Sequence, residues 1–361
     1  MQFAAVVIML LLTLKLLLLQ RGKATESKLA RRTRRLMATG TALVALHFIL
    51  QFKFELRLMG VTQAVALNLT MLMPASYIFA IAVLLLQHQG KISRLDKLTG
   101  PVAWATAMLL LSWAAATDGV PYLNDSPRLR FAEIAGAVVY MAMQGYYAWR
   151  HSTSLLAMRR ALYDYYDRNT DYMLHWMRWS IVGLTVLALM VPISMFGSGA
   201  WLFVIAIAIY FFIFYLVDSF CYYLTSTDLA QVQEATQNAD EIVQEQHNNT
   251  EIIKDDTVSQ AVEQWISRGG YLQCGLLQPT AAAEIGVPKY LLKEWLRGRN
   301  LKYCDWIADL RVKEAKRVIK EHPDWSNDIV AEHCGFSDRS VMQRTFKKVE
   351  GITPAQYAGS D

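Results

Sequence analysis

The chain has 361 residues, 54% of them hydrophobic and only 19% charged, with a formal net charge of +5. A charged fraction below the roughly 25% of an average soluble domain argues against an ordinary soluble protein. The charge is also uneven: residues 1–224 carry 20 Lys and Arg against 10 Asp and Glu, residues 225–250 carry none against 5, and residues 251–361 carry 16 against 16.

Apolar runs of membrane length fill the first part. A hydrocarbon core needs about 20 apolar residues per helix. Seven segments qualify, at about 2–19, 36–54, 61–87, 99–117, 131–149, 179–198 and 200–224. The first lacks a basic stretch ahead of its apolar run and is followed by basic residues, so it reads as an anchor helix rather than a leader peptide.

Loop Lys and Arg set the orientation. The first loop carries Arg21, Lys23, Lys28, Arg31, Arg32, Arg34 and Arg35. The third-to-fourth loop adds Lys91, Arg94 and Lys97, and the fifth-to-sixth adds Arg150, Arg159, Arg160, Arg168 and Arg178. The opposite side has only Lys53, Arg57, Arg128 and Arg130. The basic side is expected to be cytoplasmic, with the N-terminus outside and the C-terminus inside. Basic residues of the first loop then suit anionic lipid headgroups.

Ionisable groups inside spans are functional suspects. Lys15 and Asp218 lie at similar depth and either pair or snorkel to the interface. His47 and Glu133 either line a ligand cavity or are satisfied buried groups. Pro74 and Pro192 are expected to kink their helices. No repeated half-chain pattern suggests a transporter, and no HExxH, GxSxG or paired carboxylates suggest an enzyme.

The segment LLAMRRALYDYYDRNTDYMLHWMRW, residues 155–179, is amphipathic, with Leu155, Met158, Leu162 and Tyr166 at helical spacing. It is expected at the membrane surface, or as the surface that meets the cytosolic domain. The following connector, 225–257, is acidic and free of Pro and Gly, so the last apolar helix is expected to continue into it. Leu229, Val232, Thr236, Ala239, Val243 and Gln246 form a weak heptad seam that would pair two copies of the chain.

The remainder, 258–361, is soluble in character. Ser326 can cap a short helix through Cys334, Gly335 can turn the chain with positive φ, and Phe336 can plug the core. Ser337 or Asp338 then caps a second helix to about Val349. Val341, Met342, Thr345 and Phe346 face inward. Asp338, Arg339, Ser340, Gln343, Arg344, Lys347 and Lys348 lie mostly outside. A short helix, a Gly turn and a longer helix with a polar basic face make a helix-turn-helix. Arg and Gln suit base edges in a major groove, and the later Lys pair suits phosphates. PTAAAEIGVPKYLLKEWLRGR forms an earlier unit of the same kind, with Lys289, Tyr290, Lys293 and Arg297 outward. Leu292, Trp295 and Leu296 face its core. CDWIADLRVKEAKRVIKEH between them reads as one long amphipathic helix.

LRVKEAKRVI, AEHCGFSDRS, FKK and GITPAQY together resemble the DNA-binding domain of the AraC/XylS family of bacterial transcription regulators, over about residues 258–358. The resemblance implies two helix-turn-helix units in neighbouring major grooves, about one helical turn or roughly 34 Å apart. Met342 stands where the family usually has Phe. Asn327 replaces an apolar residue, with Trp325 in reach to compensate. Asn300 stands where Gly is usual, and Ala358 where Arg often is. The domain is also formally neutral, which argues for dimerisation or clustering to raise occupancy.

The fold expected is therefore all-α: a seven-helix transmembrane bundle, a helical connector and a double helix-turn-helix domain. The layout suggests a membrane-anchored one-component regulator of the bacterial inner membrane. Its partners would be double-stranded DNA, the lipid bilayer, a second copy of the chain and a small-molecule or lipid signal. The alternative is a membrane receptor or transporter whose cytosolic domain docks a protein. None of the cysteines at 221, 274, 304 and 334 sits in a CxxC pair or beside a His at zinc spacing. No metal, cofactor or catalytic residue is expected.

Overall fold

The computed structural model describes residues 2–18, 28–55, 61–118, 125–196, 201–226, 228–248 and 255–359. Arg21, Lys23 and Arg57 of the loop comparison, and connector residues 249–254, lie outside the described residues. Among the described residues the chain forms fifteen α-helices and no strand. It divides into two compact units: Met1–Leu156 with Leu174–Leu229, and Ala157–Met173 with Ala230–Asp361.

The first unit contains α1 (Gln2–Leu18), α2 (Lys28–Lys53), α3 (Val61–Gln87), α4 (Arg94–Asp118), α5 (Pro127–Tyr165, as far as Leu156), α6 (His175–Phe196) and α7 (Trp201–Thr225). Sequential helices pack side by side, α1 on α2, α2 on α3 and α3 on α4, while α7 packs on α6 and α1. α3 is the most enclosed. Val65, Leu69, Met73, Leu84 and Leu85 pack with Ala107 and Leu111 of α4 and Tyr140 and Tyr147 of α5. It runs uninterrupted through Pro74. The buried Asp96 carboxylate accepts both arms of Arg150, at 2.8 and 2.9 Å, and the Tyr146 hydroxyl. That two-pronged pair ties the start of α4 to α5.

Large apolar side chains point outward elsewhere: Leu10, Leu11 and Leu14 on α1, Val102, Leu109 and Trp113 on α4, and Val204, Phe211 and Phe214 on α7. Four helices of the described residues are long and apolar enough to cross a membrane: Lys28–Lys53, Val61–Gln87, Arg94–Thr117 and Ile207–Thr225. The expected first segment, Phe3–Leu18, is apolar but shorter. Seven spans are thus more than length and composition establish.

The second unit gathers residues 157–173 with α8 (Asp228–Asn248, from Ala230), α9 (Asp255–Ser267), α10 (Gln278–Ile285), α11 (Lys289–Gly298), α12 (Tyr303–Glu321), α13 (Asn327–His333), α14 (Arg339–Glu350) and α15 (Pro354–Ala358). It has two apolar cores. Trp265, Leu292, Leu296, Tyr303, Trp306 and Ile307 centre the first, and Ile242 of α8 belongs to it. Val312, Ala315, Val318, Val330, Phe336, Met342 and Phe346 centre the second. α12 supplies both, its first turns to one and its later turns to the other.

Three expectations are corrected here. The last apolar helix does not run on as one helix: α7 ends at Thr225 and α8 begins at Asp228. The buried stripe of α8 is Val232, Ala235, Asn238 and Ile242, whereas Val243 of the expected seam is 63% exposed. Both sets follow helical spacing, and the stripe carrying Ile242 is the one that meets a core. The expected division at 224 and 257 also differs from the compact units, because residues 157–173 and α8 pack with the C-terminal helices.

Candidate nucleic-acid interface

α13, the turn and α14 are built from local signals. The Ser326 hydroxyl caps α13, accepting from the Ile329 amide at 3.3 Å. Gly335 takes φ +76°, and a Cβ there would lie 2.4 Å from the Leu272 carbonyl oxygen. Phe336, nearly buried, donates its amide to Ala331 at 2.9 Å, closing the turn. Asp338 is the cap of α14, accepting from the Val341 amide at 2.8 Å. That amide holds the Asp338 carboxyl below the usual carboxylate range.

Met342 and Phe346 are fully buried on the inner side of α14, with Val341 and Thr345 half-buried. Arg339, Ser340, Arg344 and Lys347 are exposed, and Gln343 is half-buried at their edge. Lys348 is exposed and bonds to Asp305 at 2.9 Å, which raises its pKa. Arg339 stands 3.8 Å from the exposed Asp328. α14 therefore offers planar donors, an amide and a hydroxyl near its N-terminus and cations near its end. That is the order a major-groove helix requires.

The earlier unit has the same local build and a different environment. Gly286 ends α10 at φ +84°, and Pro288 precedes α11. Asn300 takes φ +54°, the left-handed geometry expected of it. Leu292 and Leu296 face the core and Trp295 is half-buried. Tyr290, expected to face outward, is only 5% exposed and packs in the core that contains Ile242. Lys289 donates to Glu241 of α8 at 2.9 Å. Lys293 lies 3.5 Å from Asp164. Arg297 is exposed. Burial pushes the Asp164 carboxyl up, against the opposing pull of Lys293.

Sequence reasoning missed the group at the centre of this unit. Arg311, nearly buried on α12, donates to the carbonyls of Tyr271 and Gln273 at 2.9 and 2.6 Å and to the Asp167 carboxylate at 2.8 Å. The same Asp167 oxygen accepts the Leu276 amide at 2.9 Å. Tyr166 and Leu277 meet as an isolated antiparallel bridge. Met158, Leu162 and Tyr166 are buried, and residues 157–173 belong to the unit that holds the C-terminal helices, the second of the two expected settings. Only the acidic, aromatic run YDYYDRNTDY hinted at a partner of its own.

The intramembrane polar candidates all fall in the first unit. Lys15 and Asp218 form a hydrogen-bonded ion pair. His47 is buried with its ring edge-on to Phe48, 5.1 Å between centroids. Glu133 is buried as well. The Nδ1 of His47 and one carboxylate oxygen of Glu133 have no hydrogen-bond partner among the described residues.

Residues 281–360 match the family model described as a helix-turn-helix domain. The chain is 25% identical over 71 residues to the uncharacterized HTH-type transcriptional regulator YpdC of Escherichia coli (strain K12). That alignment covers 20% of this chain and 25% of the relative's length. No solved structure matches. These similarities support DNA-binding transcription regulation and identify the C-terminal part as a helix-turn-helix domain of the AraC type.

Proposed function

We propose that the chain is a membrane-anchored bacterial transcription regulator that reads specific double-stranded DNA. The observation that carries this reading is α14: a capped helix after a glycine turn, its outer face made of Arg339, Ser340, Gln343, Arg344 and Lys347. Arg339 and Arg344 suit guanine edges and Gln343 suits adenine, while Lys347 and Lys348 suit phosphates.

The membrane part of the proposal has seven spans, N-terminus outside and reader in the cytoplasm, in the inner membrane. The outward apolar faces of α1, α4 and α7 support it. A small-molecule or lipid signal would act on helix packing around buried polar groups such as His47 and Glu133. The chain then runs from α7 directly into α8 and the reader. A second copy of the chain would raise the occupancy of a formally neutral domain.

The test uses the full chain in lipid nanodiscs to retain fragments from random DNA. It is repeated with Arg339→Ala, Gln343→Ala and Arg344→Ala. Enrichment of a sequence motif, lost or relaxed in the variants, is expected. Equal retention of all sequences by parent and variants would sink the reading and favour a protein-docking module.

A further inference from the structure

The two recognition helices stand in opposite situations. On α14 Arg339, Ser340, Arg344 and Lys347 are exposed, although Lys348 bonds to Asp305. On α11 the corresponding face is occupied by residues from two other parts of the chain. Lys289 bonds to Glu241 at 2.9 Å and Lys293 lies 3.5 Å from Asp164. Glu294 accepts from Gln246 at 2.7 Å. Lys302, just past the helix, sits 4.9 Å over the Tyr163 ring. Tyr290 is buried in the core that includes Ile242.

Each covering element places one carboxylate on a lysine of α11, Glu241 from α8 and Asp164 from a 157–173 segment that carries three Arg against three Asp overall. Residues 225–250 hold five acids and no Lys or Arg. Glu241 and Asp164 thus meet the cations of α11 where DNA phosphates would otherwise stand. A helix cannot present Lys289 and Lys293 to a phosphate backbone and to these carboxylates at once. Nor can Tyr290 approach a base edge while it is buried in the core that Ile242 joins. The Asn238 amide, 3.5 Å from the Gln278 side chain, extends the attachment, and Gln278 in turn donates to the Lys289 carbonyl at 3.1 Å.

We propose that α8 and the 157–173 segment form a cover over the first recognition helix, with Glu241 and Asp164 holding its lysines. This rests on the DNA-binding reading above. In the covered state the chain has one open reading helix, α14, and contacts one element of its site. Reading both requires α8 to leave α11. The device is a competition between two internal carboxylates and DNA phosphates for the same lysines.

The release variant is Glu241→Gln with Asp164→Asn, which keeps side-chain shape and removes both charges. Full-length protein in nanodiscs is titrated with a two-element DNA selected on the release variant and with DNA whose element under α11 is scrambled. Helix content and thermal unfolding are compared with the parent to confirm folding. The parent should lose little affinity on scrambling. The variant should bind the intact site roughly a hundredfold more tightly, the lower range of the gain from two linked contacts. Its slope of log K against log salt should steepen by about 2, for two lysines returned to phosphate.

A second form replaces Gln246 and Glu294 with Cys, in a Cys274→Ser background, and joins them with a short reducible thiol cross-linker. Locked protein should read one element even in the release variant, and reduction should restore the second. A parent that reads both elements, a folded release variant that still reads one, or a locked protein that reads both would each overturn the cover. Retention of no DNA by any form would instead refute the DNA-binding reading itself.

Discussion

Asp167→Ala tests whether a residue from the middle of the chain is part of the DNA-binding domain's own core. The carboxylate is nearly buried and accepts from Arg311 at 2.8 Å and from the Leu276 amide at 2.9 Å. Removing one member of a buried pair costs about 3–5 kcal/mol, because the other charge is left uncompensated. Arg311 keeps the carbonyls of Tyr271 and Gln273, so the lower end, about 3 kcal/mol, is expected. At 1.4 kcal/mol per tenfold, that is roughly a hundredfold in the local opening equilibrium. Asp167→Asn retains an acceptor for the Leu276 amide and should cost about half as much. Hydrogen exchange on the full chain reads this directly, in peptides covering 271–277 and 303–312. Exchange should speed up there by roughly a hundredfold, with peptides from α14 less affected. Unchanged exchange in both peptides would show that Arg311 is satisfied without Asp167, and the argument would fail.

Three further outcomes are expected. Gly335→Ala should destabilise the second helix-turn-helix unit by more than the about 1–2 kcal/mol of left-handed strain alone, since its Cβ meets the Leu272 carbonyl oxygen at 2.4 Å. Gly286→Ala, at φ +84° with open space around it, should show the strain alone, and equal losses in thermal unfolding would refute the clash. The thiols of Cys304 and Cys334, pushed up to about 12 from an ordinary 9.0 by burial, should resist alkylation at pH 8 while the exposed Cys274 reacts. The native domain holds those two protons where the unfolded chain releases them. Its stability should therefore fall as pH climbs from about 9 to about 12, and a flat profile over that range would contradict the burial.

What was legible in the sequence was local. The caps at Ser326 and Asp338, the turn at Gly335 and the inward Met342 and Phe346 depend on residues a few positions apart, where spacing carries the physics. Asn300 in left-handed geometry belongs to the same class. The contacts that escaped join distant parts of the chain. Asp167 and Arg311 are 144 residues apart, and Lys289 and Glu241 are 48 apart. Periodicity marks Met158, Leu162 and Tyr166 as one apolar stripe without naming what they face. Tyr290 was misplaced for the same reason: its position on α11 fixes its direction, and the distant residues that complete the core decide whether that direction is solvent. The apolar helices show the limit from the other side. The fourth and fifth segments are the weakest by composition, rich in Ala and broken by polar residues, yet α4 is long and apolar enough to cross, as are α2, α3 and Ile207–Thr225 of α7, while the span of α5 stays a matter of proposal.

α12 has a consequence of its own. Its 19 residues give a rod of about 28 Å, and each end is embedded in a different apolar core. The separation between α11 and α14 is therefore a property of a single stiff rod and not of a hinge. On the DNA-binding reading proposed above, a chain with both helices uncovered would measure DNA as a calliper set to one opening. A site lengthened by half a helical turn would put its second element on the far side of the duplex. Two genomic sequences with identical elements and unequal spacers would then be different addresses.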